Sequence, residues 1–109
     1  MTPEVQVYLA VGRVDLRGAF DRLAAITRNV LQMDPASGAL FLFANRARNR
    51  LKALWWDSNG YVILYKRLSR GSFQLPDVSG CKVSSIRITR AEFSMILAAA
   101  GISAVRKLH

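Results

Sequence analysis

Hydrophobic positions along the chain alternate or recur in patterns that predict strands and helices. Val5 to Val11 is rich in β-branched residues and predicts a strand that ends at Gly12. Apolar residues then recur at helical spacing from Leu16 to Leu31, and Asp15 is placed to cap the first turn. The pattern predicts a helix of about five turns here.

The middle of the chain has the pattern of a central strand followed by a hairpin. Ala39 to Ala44 is apolar at every position, which is typical of a strand covered on both faces. A basic loop, Asn45 to Arg50, follows it. Leu51 to Asp57 and Tyr61 to Leu68 then flank Ser58-Asn59-Gly60, and Asn-Gly between two such runs is a strong hairpin signal.

The last third of the chain predicts a short strand and a capped helix. Val83 to Ile88 is a candidate fifth strand. Thr89 and Glu92 have the spacing of a capping box, and Gly101-Ile102 is the expected stop of the helix. The element order predicts a single α+β domain over residues 1–109, with an antiparallel sheet of about four to five strands and two helices packed mainly on one face.

Net charge is the feature of the composition that changes this picture. The 109 residues include 16 Lys and Arg against 7 Asp and Glu, which gives a net charge of +9 and a pI of about 10.9. Such an excess favours a polyanionic partner, because each phosphate that is neutralised releases counterions. A basic surface without a dedicated ligand is the alternative.

Several kinds of site and segment are excluded by composition. One Cys and one His rule out an intrachain disulfide and a zinc site built from Cys and His within one chain. No charged-then-apolar leader opens the sequence, and no apolar run approaches the roughly 18 residues of a membrane span. We therefore expect a cytoplasmic protein without a membrane anchor and without cofactors.

The hairpin carries the candidate chemistry, because its two predicted faces differ in composition. One face is mainly aliphatic with Trp55, and we expect it to be the core side. The other mixes rings and cations in a way that suits a contact surface. Its members are Lys52, Leu54, Trp56, Tyr61, Ile63, Tyr65 and Arg67. A two-residue loop at Asn59-Gly60 would set Lys52 opposite Arg67, where a shared anion would relieve the repulsion.

The hairpin and its flanks therefore supply the candidate nucleic-acid-binding residues. Cations would hold DNA phosphates, and exposed rings would stack on unpaired bases. The predicted phosphate ligands are Arg46, Arg48, Arg50, Lys52, Lys66, Arg67 and Arg70, and the predicted stacking residues are Trp56, Tyr61 and Tyr65. Six to eight phosphate contacts would give a slope of log affinity against log salt of roughly −5 to −7. Trp56 has two alternative places, in a subunit interface or in a second core layer under the second helix.

Catalytic constellations have little support in this sequence. Asp15, Asp34, Asp57 and Glu92 are possible ligands of divalent ions, but each has a simpler role in a cap or a turn. Nucleophilic triads, phosphate loops and dinucleotide-binding glycine patterns have no support. We expect a protein that is not an enzyme, with no catalytic and no metal-binding residues.

Three segments together resemble a known family. They are "VYLAVGRVDLRGAFDRLAAI", "MDPASGALFLFANRARNRLKALWWDSNGYVILYKRLSRGSF" and "ITRAEFSMILAAAGI". The chain is similar to the TnpB-type accessory protein, the second open reading frame, of the sixty-six-numbered class of bacterial insertion sequences. The most specific part is the run D-P-x-S-G-x-L-F-x-F that continues into K-x-L-W-W-D-x-N-G and Y-K-R-L-x-R-G-x-F. Nearer the N-terminus, Asp15, Arg17, Phe20 and Asp21 also match the family pattern.

The resemblance implies participation in DNA transposition beside a separate catalytic transposase, in the bacterial cytoplasm. DNA binding is our inference from the charge and the hairpin composition, and DNA and the transposase are the expected partners. The alternative is a protein-interaction module, in which the same surface docks the transposase or forms a homodimer and the charge steers the encounter.

Overall fold

A five-stranded sheet and two helices form the part of the chain that the structure describes. The computed structural model describes residues 5–12, 14–78 and 80–99. The elements in chain order are β1 (Val7–Ala10), α1 (Phe20–Asn29), β2 (Leu40–Ala44), β3 (Arg50–Asp57), β4 (Gly60–Arg67), β5 (Ser85–Ile88) and α2 (Arg90–Leu97).

The sheet is mixed, with one parallel pair among antiparallel ones. Its strand order is β4-β3-β2-β1-β5. β1 and β2 are parallel because α1 carries the chain back along the sheet between them, whereas the other neighbours are antiparallel. The predicted α+β class, with a mostly antiparallel sheet, is confirmed.

The two helices lie on opposite faces of the sheet rather than mainly on one, which corrects the predicted arrangement. Phe41 and Phe43 of β2 are buried with Leu23 of α1, whereas Leu42 is buried with Ile96 of α2. Successive residues of a strand point to opposite faces, so an apolar strand such as β2 needs cover on both. The apolar residues at every position of β2 already indicated that both of its faces are covered.

The helix α1 begins later than the apolar spacing suggests. It has 10 residues from Phe20, and its N-terminus has no side-chain cap from any residue that the structure describes. Asp15 is therefore not the cap, and its carboxylate instead accepts hydrogen bonds from the main-chain N–H and the guanidinium of Arg17. Gly18 breaks the helical pattern, since glycine costs about 1 kcal/mol inside a helix. A Cβ at Gly18 would lie 2.5 Å from the Cβ of Arg22, so the loop is folded tightly onto the first turn.

The predicted hairpin and capping box are confirmed. β3 and β4 pair over 8 residues each. Thr89 N–H donates to Glu92 Oε1 at 2.8 Å, and Glu92 N–H donates to Thr89 Oγ1 at 3.0 Å. α2 ends at Leu97, and Ala99 has a left-handed φ of 57°. The expected stop at Gly101-Ile102 lies outside the described residues.

Candidate nucleic-acid interface

The turn of the hairpin is centred one residue earlier than predicted. Its two loop residues are Ser58 and Asn59, and Ser58 has a left-handed φ of 56°. Gly60, expected in the loop, is instead the first residue of β4 and pairs with Asp57. Each β3 residue therefore pairs with a β4 residue two places earlier than predicted. Because side chains alternate between faces, a shift of two leaves the predicted side chains on each face.

The shift changes which side chains face each other across the strands. Lys52 pairs with Tyr65, and Arg67 pairs with Arg50, so the predicted confrontation of Lys52 with Arg67 is wrong. The observed register sets a cation beside a ring in the middle of the hairpin. It leaves the like-charged pair at the strand ends, where solvent screens the repulsion best.

Part of the ring-bearing face is covered by α1. Leu54 is fully buried there in a cluster that includes Leu23 of α1. Tyr61 and Ile63 are half-buried and pack against the same cluster. The expectation that this whole face is an outward contact surface is wrong at Leu54, because α1 packs on this side of the sheet.

The two tryptophans are half-buried on opposite faces. Trp56 makes an edge-to-face contact with Tyr61, with ring centroids 5.0 Å apart and planes at 78°. Trp55 lines a groove beside Phe93 of α2 and is less enclosed than a core residue. At a rise of roughly 3.3 Å per residue, Trp56 lies about 20 Å along β3 from Arg50. The Trp56–Tyr61 pair therefore stands apart from the arginines.

All five of the predicted arginines lie at one end of the sheet. The β2–β3 loop, the start of β3 and the end of β4 meet there, because β3 is antiparallel to both neighbours. We name this group the arginine end, and its members are Arg46, Arg48, Arg50, Arg67 and Arg70. All 5 are exposed, and none has a carboxylate partner within residues 5–12, 14–78 and 80–99.

The loop that carries Arg46 and Arg48 is fixed by asparagine side chains. Asn45 Oδ1 accepts from the main-chain N–H groups of Asn49 and Arg50, each at 3.0 Å. Asn45 Nδ2 donates to Asn49 Oδ1 at 2.8 Å. Arg48 itself has a left-handed φ of 58°. The main chain therefore presents the two guanidinium groups from a defined turn.

Lys52 has partners within the protein. Its Nζ donates to the carbonyl of Leu16 and, at 2.9 Å, to that of Gly18. The same ammonium lies 5.0 Å from the centre of the Tyr65 ring. Lys52 thus ties the loop of residues 14–19 to the hairpin and sets the orientation of one exposed ring.

Lys66 lies on the opposite face of the hairpin and also has an internal partner. Its Nζ donates to the carbonyl of Leu97, the last residue of α2. Carbonyls at a helix C-terminus lack partners within the helix and carry partial negative charge, so a lysine is favoured there. The structure therefore separates Lys66 from the arginine end.

A cleft of about 370 Å³ opens between the 14–19 loop and the hairpin. It is lined by Val14, Asp15, Leu16, Arg17, Asn45, Arg50, Lys52 and Tyr65. Arg17 neutralises the carboxylate among them, since its Nη2 and Nε lie 2.8 and 3.0 Å from the Asp15 oxygens. These hydrogen bonds hold the pKa of Asp15 below its usual range and raise the pKa of Arg17.

Three polar lining residues, Asp15, Arg17 and Asn45, are missing from the residues predicted for the site. Arg17 lies on the loop that Lys52 contacts across a sequence separation of 34 to 36 residues, and no local sequence pattern indicates a contact of that range. For Asn45 a signal was present, since an Asn stands at each end of the arginine-bearing loop and Asn side chains commonly fix turns.

The part of the chain that the structure describes contains neither a metal-binding cluster nor a membrane-spanning helix. Its residues contain no group of three or more His, Cys, Asp and Glu that could hold a metal ion. Neither of its helices has the length and apolar composition that a membrane crossing requires.

Comparison with known proteins assigns the family. A family model described as "IS66 Orf2 like protein" matches residues 5–107. The chain belongs to the IS66 Orf2-like family. This confirms the resemblance indicated by the motifs from Asp34 to Phe43 and from Lys52 to Gly60. Membership indicates an accessory role associated with transposition.

Two curated relatives from Sinorhizobium fredii (strain NBRC 101917 / NGR234) align over most of this IS66 Orf2-like chain. "Uncharacterized protein y4hO" is 38% identical over 93 residues, which cover 85% of this chain and 78% of that protein. "Uncharacterized protein y4jC" is 30% identical over 94 residues, which cover 86% and 78%. No solved structure matches the chain significantly. The similarity therefore extends over most of the fold rather than over one motif.

Proposed function

We propose that this IS66 Orf2-like protein is a non-catalytic accessory protein that binds DNA in transposition through its arginine end. The observation that carries the proposal is the set of 5 exposed guanidinium groups without a carboxylate partner in the described residues. Arginine binds phosphate oxygens through two parallel N–H groups, and gathered cations attract a polyanion.

The pairing of Arg50 with Arg67 supports a phosphate at this place. The two residues are directly opposite each other on neighbouring strands. Like charges in this position destabilise a sheet by a few tenths of a kcal/mol or more. A DNA phosphate between the two guanidinium groups would convert that repulsion into two charge-assisted contacts.

The number of phosphate contacts is smaller than the sequence alone suggested. Lys52 and Lys66 donate to main-chain carbonyls, which leaves the 5 residues of the arginine end as phosphate ligands. At about −0.9 per phosphate contact on duplex DNA, we expect log affinity to fall against log salt with a slope of about −4 to −5.

A salt-titrated binding assay tests the proposal. Fluorescence anisotropy of a short labelled duplex would be measured between about 50 and 200 mM salt. The double variant Arg50→Ala/Arg67→Ala should bind more weakly and lower the steepness of the slope by about 2. The matched control Arg28→Ala/Arg87→Ala removes the same charge from α1 and β5. A flat salt response, or an equal change in both double variants, would contradict DNA binding at the arginine end.

The free edge of β4 favours a second candidate function, self-association. Among the residues that the structure describes, β4 has a neighbour on one side only and runs for 8 residues, whereas the other edge strand, β5, has 4. Leu64 and Tyr65 on it are 38% and 52% exposed. A long free edge is a ready template for pairing with another strand.

Sedimentation analysis over a range of protein concentrations tests this candidate. A dimer through the β4 edge should dissociate in Leu64→Lys, because each subunit would then bury an unpaired lysine in the interface. A wild-type monomer at every concentration would reject self-association. Adding the transposase of the same element would then test whether the edge takes a strand of that protein instead.

A further inference from the structure

The cleft beside the arginine end has the features of a subsite for one nucleotide. We infer that this cleft binds an unpaired nucleotide, an inference that rests on the proposed DNA binding. The base would lie on the exposed side of the Tyr65 ring, and a phosphate would lie between Arg50 and Arg67. The inference adds strandedness to the proposed function, since an unpaired nucleotide belongs to a single strand, a gap or a flipped position.

Tyr65 is an exposed ring that is nevertheless held in place. It is 52% exposed, and the ammonium of Lys52 lies 5.0 Å from its centre. That ammonium is anchored in turn by the carbonyls of Leu16 and Gly18. A ring fixed from one side loses little conformational freedom when a base stacks on the other. Every base has a π-face, so such a platform does not select sequence.

The phosphate position follows from the strand register. Arg67 lies two places along β4 from Tyr65, on the same face, and directly opposite Arg50. Two places along a strand correspond to roughly 7 Å. A phosphate held between the two guanidinium groups is therefore next to the ring that would receive its base.

The dimensions and charge of the cleft suit one nucleotide. Its volume of about 370 Å³ lies near the lower end of the range of about 300–1,000 Å³ for small-molecule sites. Asp15, the acid among the lining residues, is already paired with Arg17. In an intact duplex the bases are paired and stacked, and extruding one costs a few kcal/mol. The subsite therefore favours DNA that is already unpaired.

The experiment compares one labelled oligonucleotide as a single strand and as a duplex, at one salt concentration. We expect the wild-type protein to bind the single strand more tightly. Tyr65→Ala should weaken single-strand binding by about 5- to 150-fold, which corresponds to one lost stacking contact, and change duplex binding by less than about 2-fold. Tyr65→Phe should bind like wild type, because stacking needs the ring and not the hydroxyl. Phe20→Ala is the matched control, because it removes a ring that is 45% exposed and does not line the cleft. Thermal melts verify that each variant is folded.

The outcomes separate this inference from the proposed function. Equal wild-type binding of both DNA forms, or the same loss on both forms in Tyr65→Ala, would overturn the nucleotide subsite while DNA binding stands. Absence of salt-dependent binding to either form would overturn DNA binding itself. Loss of single-strand binding in Tyr65→Ala with retention in Tyr65→Phe would support the subsite.

Discussion

Replacing Lys52 with methionine tests whether one ammonium group holds the 14–19 loop against the hairpin. Methionine keeps an unbranched apolar side chain of similar length but removes the charge and the donors. In the wild-type protein the Nζ atom contacts the carbonyls of Leu16 and Gly18 and the ring of Tyr65. All of these contacts are lost together in Lys52→Met.

The magnitude follows from these contacts. Hydrogen bonds that involve a charged group contribute about 1.5–3 kcal/mol each, and a cation over an exposed ring contributes about 0.5–1 kcal/mol. The half-buried ammonium pays a desolvation cost that disappears in the variant, which offsets part of the loss. We expect the free energy of unfolding to fall by about 2–4 kcal/mol, and the Tm by about 8–16 °C at about 4 °C per kcal/mol.

Urea titration and thermal melts followed by circular dichroism measure this change. Lys82→Met is the matched control, because Lys82 is exposed and makes no such contacts in the described residues. The control should change stability by less than about 0.5 kcal/mol. A Lys52→Met variant as stable as the control would refute the assignment of Lys52 as the tie between loop and hairpin.

Three further substitutions test the core, the ion pair and the helix cap. Leu54→Ala should lower the free energy of unfolding in urea by about 2–5 kcal/mol, and a loss below about 1 kcal/mol would contradict a buried leucine under α1. Asp15 has a pKa below its usual value of 3.8, so its stabilising effect through Arg17 is present above that pH and lost as the pH falls below it. The Tm values of wild type and Asp15→Asn should therefore differ near neutral pH and converge in strong acid. A difference that stays constant with pH would show that the carboxylate charge is not the source of the stabilisation. Thr89→Ala should cost about 0.5–2 kcal/mol in the same melts, with Thr89→Ser close to wild type, because the capping box with Glu92 needs the hydroxyl.

The elements that the sequence predicted well are those set by neighbouring residues. The apolar run of β2, the turn signal of the hairpin and the Thr89–Glu92 pair each act within a few residues, and each is found in the structure. The predicted start of α1 is too early, because Leu16 fits the helical spacing although Gly18 ends that pattern before the helix begins at Phe20. The spacing of apolar residues alone does not show where a glycine prevents the helix from forming.

The candidate site was predictable in its residue types but not in its geometry. The arginines of the hairpin flanks follow from the sequence, while their gathering at one end depends on the strand order. The hairpin register places Lys52 beside Tyr65. The carbonyl partners of Lys52 and Lys66 lie 31 to 36 residues away, so only the tertiary fold shows that these lysines are engaged.

The place of β1 between β2 and β5 has a consequence for synthesis of the protein. β1 leaves the ribosome well before its second neighbour, Ser85–Ile88, because α1 and the strands β2 to β4 lie between them in the sequence. Until that segment emerges, one side of β1 has no strand to pair with, and such edges promote aggregation. A nascent chain that stops before Ser85 therefore lacks the strand that closes this side of the sheet, so synthesis of β5 is what removes the exposed edge of β1.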